Sequence, residues 1–231
     1  MMTHNLLEHT KEALNSLTPA LVSGYEVIFV DNGSTDGTPE FLQNLDLPIT
    51  KKLILNKENL GIAHALNQAF GMAVGKYIYR FDNDLILKDF LMFERMAHYF
   101  KDYEGIGIVA AKTNKVFTKL QQCRDSTFLN HHVISVLKVD LLSAMISKEC
   151  WEEVGGFDED YKFGNYEDTD FCMKVKKARF KILIDGHTFI YHKGSLTFKT
   201  FGFNSALKQN KKRFLEKWGS YPKEEVLGKL E

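Results

Sequence analysis

Apolar positions in the first half of the chain alternate between two periods. Leu6, Leu7, Ala13, Leu14 and Leu17 keep helical spacing until Pro19, which predicts a helix over 6–17. Tyr25-Glu26-Val27-Ile28-Phe29-Val30 is a short, largely apolar run and predicts a strand, closed by the turn residues Asp31-Asn32-Gly33-Ser34-Thr35-Asp36-Gly37. A helix over 38–45, a strand over 52–55, a helix over 61–74 and a strand over 77–81 follow with short connections. This alternation predicts an α/β fold, a mostly parallel sheet with helices on both faces. After Asp84 the pattern loosens. A helix over 90–100 and a strand over 106–111 precede a polar stretch, 112–130, with no clear period. A strand over 141–146, a helix over 148–154, a helix headed by Glu167-Asp168-Thr169-Asp170 and strands near Ile182 and Phe189 complete the reading. One domain is expected, with a nucleotide-type front half (1–111), a more variable back half (112–198) and a C-terminal helical segment (199–231).

Composition narrows the class. In 231 residues, 44% hydrophobic and 26% charged positions describe a globular chain rather than a disordered one. Thirty acids balance thirty bases, which argues against a nucleic-acid partner. No apolar run approaches a membrane span and no signal peptide opens the chain. Cys123, Cys150 and Cys172 are odd in number and lack a Cys-x-x-Cys spacing, as expected of buried thiols in a cytoplasmic protein. Two glycine-rich segments are decoys. The run from Gly71 to Tyr77 is one residue short of a P-loop, and Gly105 to Ala110 enters a β-branched strand where a dinucleotide fingerprint must open a helix.

The strongest chemical signal is the junction of the Tyr77–Phe81 run with Asp82-Asn83-Asp84. Carboxylates at the C-terminal end of a strand stand where ligands bind in open α/β sheets. Two acids so close repel unless a cation neutralises them, and hard oxygen ligands suit Mn²⁺ or Mg²⁺. The alternative is an ordinary polar turn. Asp31, at the same edge, could accept hydrogen bonds from a base or ribose, or cap the helix that follows. Three acids in Glu167-Asp168-Thr169-Asp170 suit a helix N-terminus, yet exceed what a cap needs, so one could serve as a general base. His192, ending the last strand, could close a metal's coordination sphere or be structural.

Further blocks occur in a meaningful order: Val30 to Thr38, Asn59-Leu60-Gly61 with Ala65-Leu66-Asn67, Gly75-Lys76-Tyr77 through Asp84, Glu153 to Glu159, Tyr166 to Asp170, and Tyr191-His192. Together, from about Thr3 to Trp218, they resemble glycosyltransferase family 2, whose GT-A fold is Rossmann-like. The resemblance implies transfer of a sugar, with inversion, from a nucleoside diphosphate sugar to a hydroxyl on a glycan, lipid-linked or other acceptor, with a lean to uridine. It implies polysaccharide or glycoconjugate synthesis, with an Asp-x-Asp motif in which Asp84 ligates Mn²⁺ or Mg²⁺ and Asp82 assists through ribose or a metal-bound water. Asp168 would be the base, with Glu167 as its substitute. His192 would be the late metal or diphosphate ligand. Thr3, Asn5, Asp31, Asn59, Gly61, Asp82 and Asn83 would line the nucleotide side, and acceptor contacts would fall in 112–130 and the C-terminal helix.

The chain departs from the family where an apolar first strand should precede Thr3-His4-Asn5, since only Met1-Met2 stand there. Neighbouring strands should then carry unpaired backbone groups, and about five or more apolar residues are expected ahead of Thr3 in the full product. Arg179 stands where the family usually has Gly, and Ser143-Ala144 where it has Ser-Gly. Rival readings are a non-catalytic nucleotide-sugar binder lacking the first strand and a two-acid glycosidase. Finally, Lys193, Lys199, Lys208, Lys211, Lys212, Arg213 and Lys217 face only Glu216 within 193–217. Leu207, Phe214, Leu215 and Trp218 could share an inner helical face, leaving Lys208, Lys211 and Lys212 outside. The outer face is either simply solvated or a peripheral contact to an anionic membrane.

Overall fold

A computed structural model describes residues 1–194 and 204–230. Lys199 lies outside them. The first half runs β1 (Met2–Thr3), α1 (Leu7–Leu17), β2 (Glu26–Asn32), α2 (Thr38–Asn44), β3 (Thr50–Asn56), α3 (Ile62–Met72) and β4 (Tyr77–Phe81). The second half adds β5 (Leu85–Ile86), α4 (Met92–Asp102), β6 (Ile106–Thr113), β7 (Val133–Val136) and β8 (Ser143–Ser147). It closes with α5 (Lys148–Val154), α6 (Glu167–Lys177), β9 (Lys181–His192), α7 (Asn204–Trp218) and β10 (Val226–Leu230).

Strands β1, β2 and β3 pair in parallel, and a parallel bridge between Met2 and Asp82 joins β1 to the end of β4. The remaining order is β4-β8-β6-β9-β7-β10, with β5 paired to β9 at the side. Here only β6 and β9 run parallel; β4–β8, β6–β8, β7–β9, β7–β10 and β5–β9 are antiparallel. The predicted parallel sheet thus holds where helices cross over between strands. It gives way to antiparallel pairing where the chain returns through the irregular 114–132 region. The two strands expected near Ile182 and Phe189 are one strand, β9, whose register against β6 shifts so that Asp185 and Phe189 face the neighbouring residues Ala111 and Lys112.

Helices cover both faces. Along β6, Val109 and Ala111 enter a core with Leu14, Leu17, Phe29, Phe81, Met92 and Met96. Ile108 and Ala110 point the other way, to Leu66, Phe70, Ile146, Phe157, Phe171 and Val175. Period-two alternation in a strand buried on both sides calls for a continuous non-polar run, as β6 has from Ile106 to Ala111. Arg179 ends the turn after α6 at φ +68°, the left-handed region in which glycine is at ease, so the family's glycine is replaced here at a conformational cost. On α7 the expected inner face is corrected. Ala206, Asn210 and Phe214, four residues apart, are buried, whereas Leu207 (42% exposed) and Leu215 (39%) lie outside with the lysines.

β1 is a two-residue stub, pairing with β2 only at Val30 and Asp31. N-terminal to it, between β2 and β4, lies a cavity of about 1160 Å³ lined by Tyr25–Ile28, Tyr77–Phe81, Leu66, Phe70 and Phe93. The Met1 ammonium donates to Ile28 O at 2.6 Å inside this slot, where burial pushes its pKa down to about 6.

Candidate active site

The turn after β2 is built around the Asp31 carboxylate, 1% exposed. Its Oδ1 accepts from Thr3 Oγ1 (2.9 Å) and Ser34 Oγ (2.5 Å), and its Oδ2 from Ser34 N (2.9 Å). Asn5 Oδ1 accepts from Thr35 N at 2.7 Å, tying the end of β1 to the same turn. Gly33 is needed there, because a Cβ would stand 2.5 Å from the Glu58 carbonyl carbon. Asn59 Oδ1 accepts from Asn32 Nδ2 and Gly61 N, both at 2.9 Å. At Gly61 a Cβ would meet Phe163 N at 3.1 Å, so this turn lies against the loop ahead of α6. Thr3, Asn5, Asp31, Asn59 and Gly61 are therefore gathered at one edge of the sheet. Asn83 turns inward instead: its Nδ2 donates to Thr10 Oγ1 (3.0 Å) and Asn5 O (3.3 Å), which makes it a tie between β4 and α1.

Asp84 and His192 meet because β5 pairs with the end of β9, with Leu85 opposite His192. His192 Nε2 and Asp84 Oδ2 are 3.0 Å apart, and His192 Nδ1 lies 2.6 Å from Lys115 O. With Nδ1–H donated to that carbonyl, Nε2 is the nitrogen turned toward Asp84: protonated it donates to Oδ2, and deprotonated its lone pair is open to a cation. Burial disfavours the imidazolium, but the hydrogen bond and charge of Asp84, with Lys115 O, outweigh it and raise the His192 pKa. Asn114 holds the His192 backbone from both sides, Oδ1 accepting from N at 2.7 Å and Nδ2 donating to O at 3.1 Å. Adjacent ligands about 2.1 Å from one octahedral ion stand roughly 3.0 Å apart, so this pair suits two neighbouring positions on a small divalent cation. Among the described residues no three or more His, Cys, Asp or Glu converge as a metal group. A cation here would have few protein ligands and several positions open to a ligand's oxygens.

A second cluster grows from Arg80, a lone charge in the apolar β4, 6% exposed. Its Nε and Nη2 donate to the two oxygens of Asp82 (2.9 and 2.8 Å), and Nη1 donates to Asp168 Oδ1 at 2.8 Å. Leu141 N donates to Asp168 Oδ2 at 2.9 Å. Burial raises the carboxyl pKa of Asp168, against the pull of Arg80 and of the Leu141 N–H. Glu167, 3% exposed, has Oε2 buried without a hydrogen-bond partner among the described residues. Burial first, then the Asp168 charge, push its pKa up to about 8. Of the two neighbours Glu167 keeps the proton, and Asp168, with a side chain 19% exposed, is the one a ligand can reach. Arg80 went unassigned in the sequence, although a single cation within an apolar strand is itself a sign of buried acids nearby.

The arrangement is that of a GT-A glycosyltransferase: a Rossmann-like front half, an acidic strand end, and an acid pair at the start of a helix that meets the strand through Arg80. The sequence profile of glycosyl transferase family 2 matches residues 1–183, and the chain belongs to that family. An uncharacterized glycosyltransferase of Haemophilus influenzae is 35% identical over 86 residues, 37% of this chain and 27% of that protein. The chondroitin synthase of Pasteurella multocida is 25% identical over 193 residues, 78% of this chain but 19% of the synthase. The chain thus spans about a quarter or less of the length of these relatives. Among solved structures, the Pyrobaculum calidifontis mannosyltransferase PcManGT, in complex with GDP-Man and Mn²⁺, superposes with TM-score 0.71 at 19% identity. That match covers 97% of this chain and 64% of the other. GalNAc-T7 with UDP, GalNAc and Mn²⁺ gives TM-score 0.73 at 13% identity, over 94% and 47%. Staphylococcus aureus TarS 1–349 with UDP-GlcNAc gives 0.65 at 18%, over 93% and 65%.

Proposed function

We propose that this chain moves a sugar from a nucleoside diphosphate sugar to an acceptor hydroxyl with inversion, assisted by Mn²⁺ or Mg²⁺, in polysaccharide or glycoconjugate synthesis in the cytoplasm. The observation that carries this reading is the Asp84–His192 pair, set 3.0 Å apart two residues along the chain from Asp82, which shares Arg80 with Asp168. Thr3, Asn5, Asp31, Asn59 and Gly61 would form the nucleoside edge, and Asp84 and His192 would hold the cation. A divalent ion bound there neutralises the charge that builds on the departing diphosphate. Asp168 receives the acceptor proton as the acceptor oxygen bonds to the anomeric carbon and the bond to the diphosphate breaks. Its oxygens keep lone pairs free beyond the hydrogen bonds from Arg80 and Leu141. A carboxyl raised by burial toward working pH suits a base that must also release its proton. Support for the donor class comes from neighbours solved with GDP-Man and UDP-GlcNAc. Support for a polysaccharide product comes from the chondroitin and hyaluronan synthases.

Calorimetry with UDP and GDP, with and without Mn²⁺, tests the site. Binding should require the metal and disappear in Asp84→Ala; unchanged affinity in the variant would overturn the metal assignment. A nucleotide-sugar binder without turnover is the rival reading. It would bind the donor with Mn²⁺ yet release no nucleoside diphosphate from it.

A further inference from the structure

We propose that Asn210 of α7 is the positioning residue for the base: it fixes the backbone that delivers Asp168 to the cleft. This deepens, and rests on, the reading of Asp168 given above. Asn210 is 1% exposed and its carboxamide is spent wholly on one loop. Nδ2 donates to Lys162 O (3.0 Å), Gly164 O (2.9 Å) and Asn165 O (3.2 Å), while Oδ1 accepts from Lys162 N (3.1 Å). That loop runs straight into Glu167, the first residue of α6.

The loop needs such a support. Phe163, Asn165 and Tyr166 have φ of +61°, +70° and +74°, and Gly164 lies between them at +124°. Three residues bearing a Cβ in the left-handed region within four positions form a conformation that isolated chain rarely adopts. Such strain persists only where the surroundings over-determine it. The two N–H groups of Asn210 Nδ2 are shared among three carbonyls of the loop, which no apolar side chain could do. An inward polar residue on a helix face otherwise made of Ala206 and Phe214 has no packing reason to be there. The rest of α7 continues the grip: Phe214 lies 5.6 Å from the Tyr166 ring, and Trp218 Nε1 donates to Asp170 Oδ1 at 2.7 Å. On its far side the loop touches the Gly61 turn through Phe163. Released, it would relax toward ordinary dihedrals and rotate the first turn of α6, carrying Asp168 away from the reacting oxygen. All of this depends on a helix that lies beyond residues 1–183, the part matched by the family profile.

The full chain carrying Asn210→Ala, and separately the isosteric Asn210→Asp, tests the idea. Amide hydrogen exchange over 162–168 should rise by about tenfold or more, with exchange in α3 and α5 unchanged. Affinity for UDP or GDP with Mn²⁺ should stay within about twofold. Turnover, read as nucleoside diphosphate release from UDP-GlcNAc and GDP-mannose, should fall in kcat by roughly tenfold to a hundredfold with KM little changed, the scale of a misplaced reacting group. Wild-type exchange at 162–168 in both variants overturns the proposal. So does exchange that rises throughout the molecule, because Asn210 would then be a general prop. Asp168→Asn assayed alongside separates the two ideas. Normal turnover in Asp168→Asn would refute the base assignment, whereas a crippled Asp168→Asn beside a normal Asn210→Ala refutes the positioning role alone.

Discussion

Arg80 lets Asp82, Glu167 and Asp168 stand together, since one buried guanidinium carries two of the carboxylates on its fork and the third keeps its proton. Two consequences follow from that division. Asp168→Asn preserves shape and removes proton acceptance, so donor binding should persist while turnover drops roughly a hundredfold or more. If Glu167→Gln were crippled instead and Asp168→Asn nearly normal, the base would be Glu167. Glu167 also leaves a mark on stability. Its pKa rises from 4.5 in the unfolded chain to about 8 in the fold, so the native state favours the protonated form. That contribution is complete below pH 4.5 and is lost as pH rises through 8. Glu167→Gln, which cannot ionise, should melt close to wild type at pH 5 and several degrees higher at pH 8. A difference in Tm that stays flat across this range would exclude a buried, protonated Glu167.

At the level of elements the slot between β2 and β4 stands out. Both walls are strands whose facing edges have no strand partner along the cavity among the described residues, and their side chains around it are mainly apolar. Their direction is set by β1, which runs parallel to β2 and bridges in parallel to Asp82. A chain extended ahead of Met1 by five β-branched apolar residues should therefore continue β1 through the slot. It would pair with both edges and replace a buried ammonium by an amide. Scanning calorimetry should show Tm raised by roughly 5 °C or more, while a Gly-Ser extension of equal length leaves it unchanged. Equal melting of the two extended chains would mean that the slot does not receive a strand. Elements with strong local signals were legible from sequence: α1, β2, α3, β4, β6 and α5 all lie within a few residues of their predicted spans. β7 and β10 were not, because four- and five-residue segments acquire strand character only from the partners that tertiary folding supplies.

For the whole molecule, charge is balanced but unevenly placed. Arg213 and Lys217 of α7 are committed to Asp158, and Lys217 also to Asp170, as a packed helix requires. Lys208, Lys211 and Lys212 remain outward with the exposed Leu207 and Leu215. We propose that this mixed basic and apolar face docks on anionic lipid. Cosedimentation with anionic vesicles should recover the protein in the pellet at low salt and release it at high salt, with no binding to neutral vesicles. Equal recovery in the supernatant under all conditions would leave α7 a purely structural helix. Among the described residues no helix is long and apolar enough to cross a membrane.

The sequence alone determined the alternating front half, the family, and the identity of Asp82, Asp84, Asp168 and His192 as candidates. The front half rests on periodicity and turn residues, the candidates on acids and a histidine placed at element ends, and the family on the resemblance of motif blocks in order. Tertiary structure alone decided which of them meet. His192 reaches Asp84 across 108 positions because β5 pairs with β9, and Asp168 reaches Arg80 across 88 because α6 packs beside the end of β4. It also turned Asn83 inward and buried Asn210 while leaving Leu207 in solvent, against the hydropathy of the helix. A residue's polarity states what burying it would cost. Only the assembled fold states which partners are there to offset that cost.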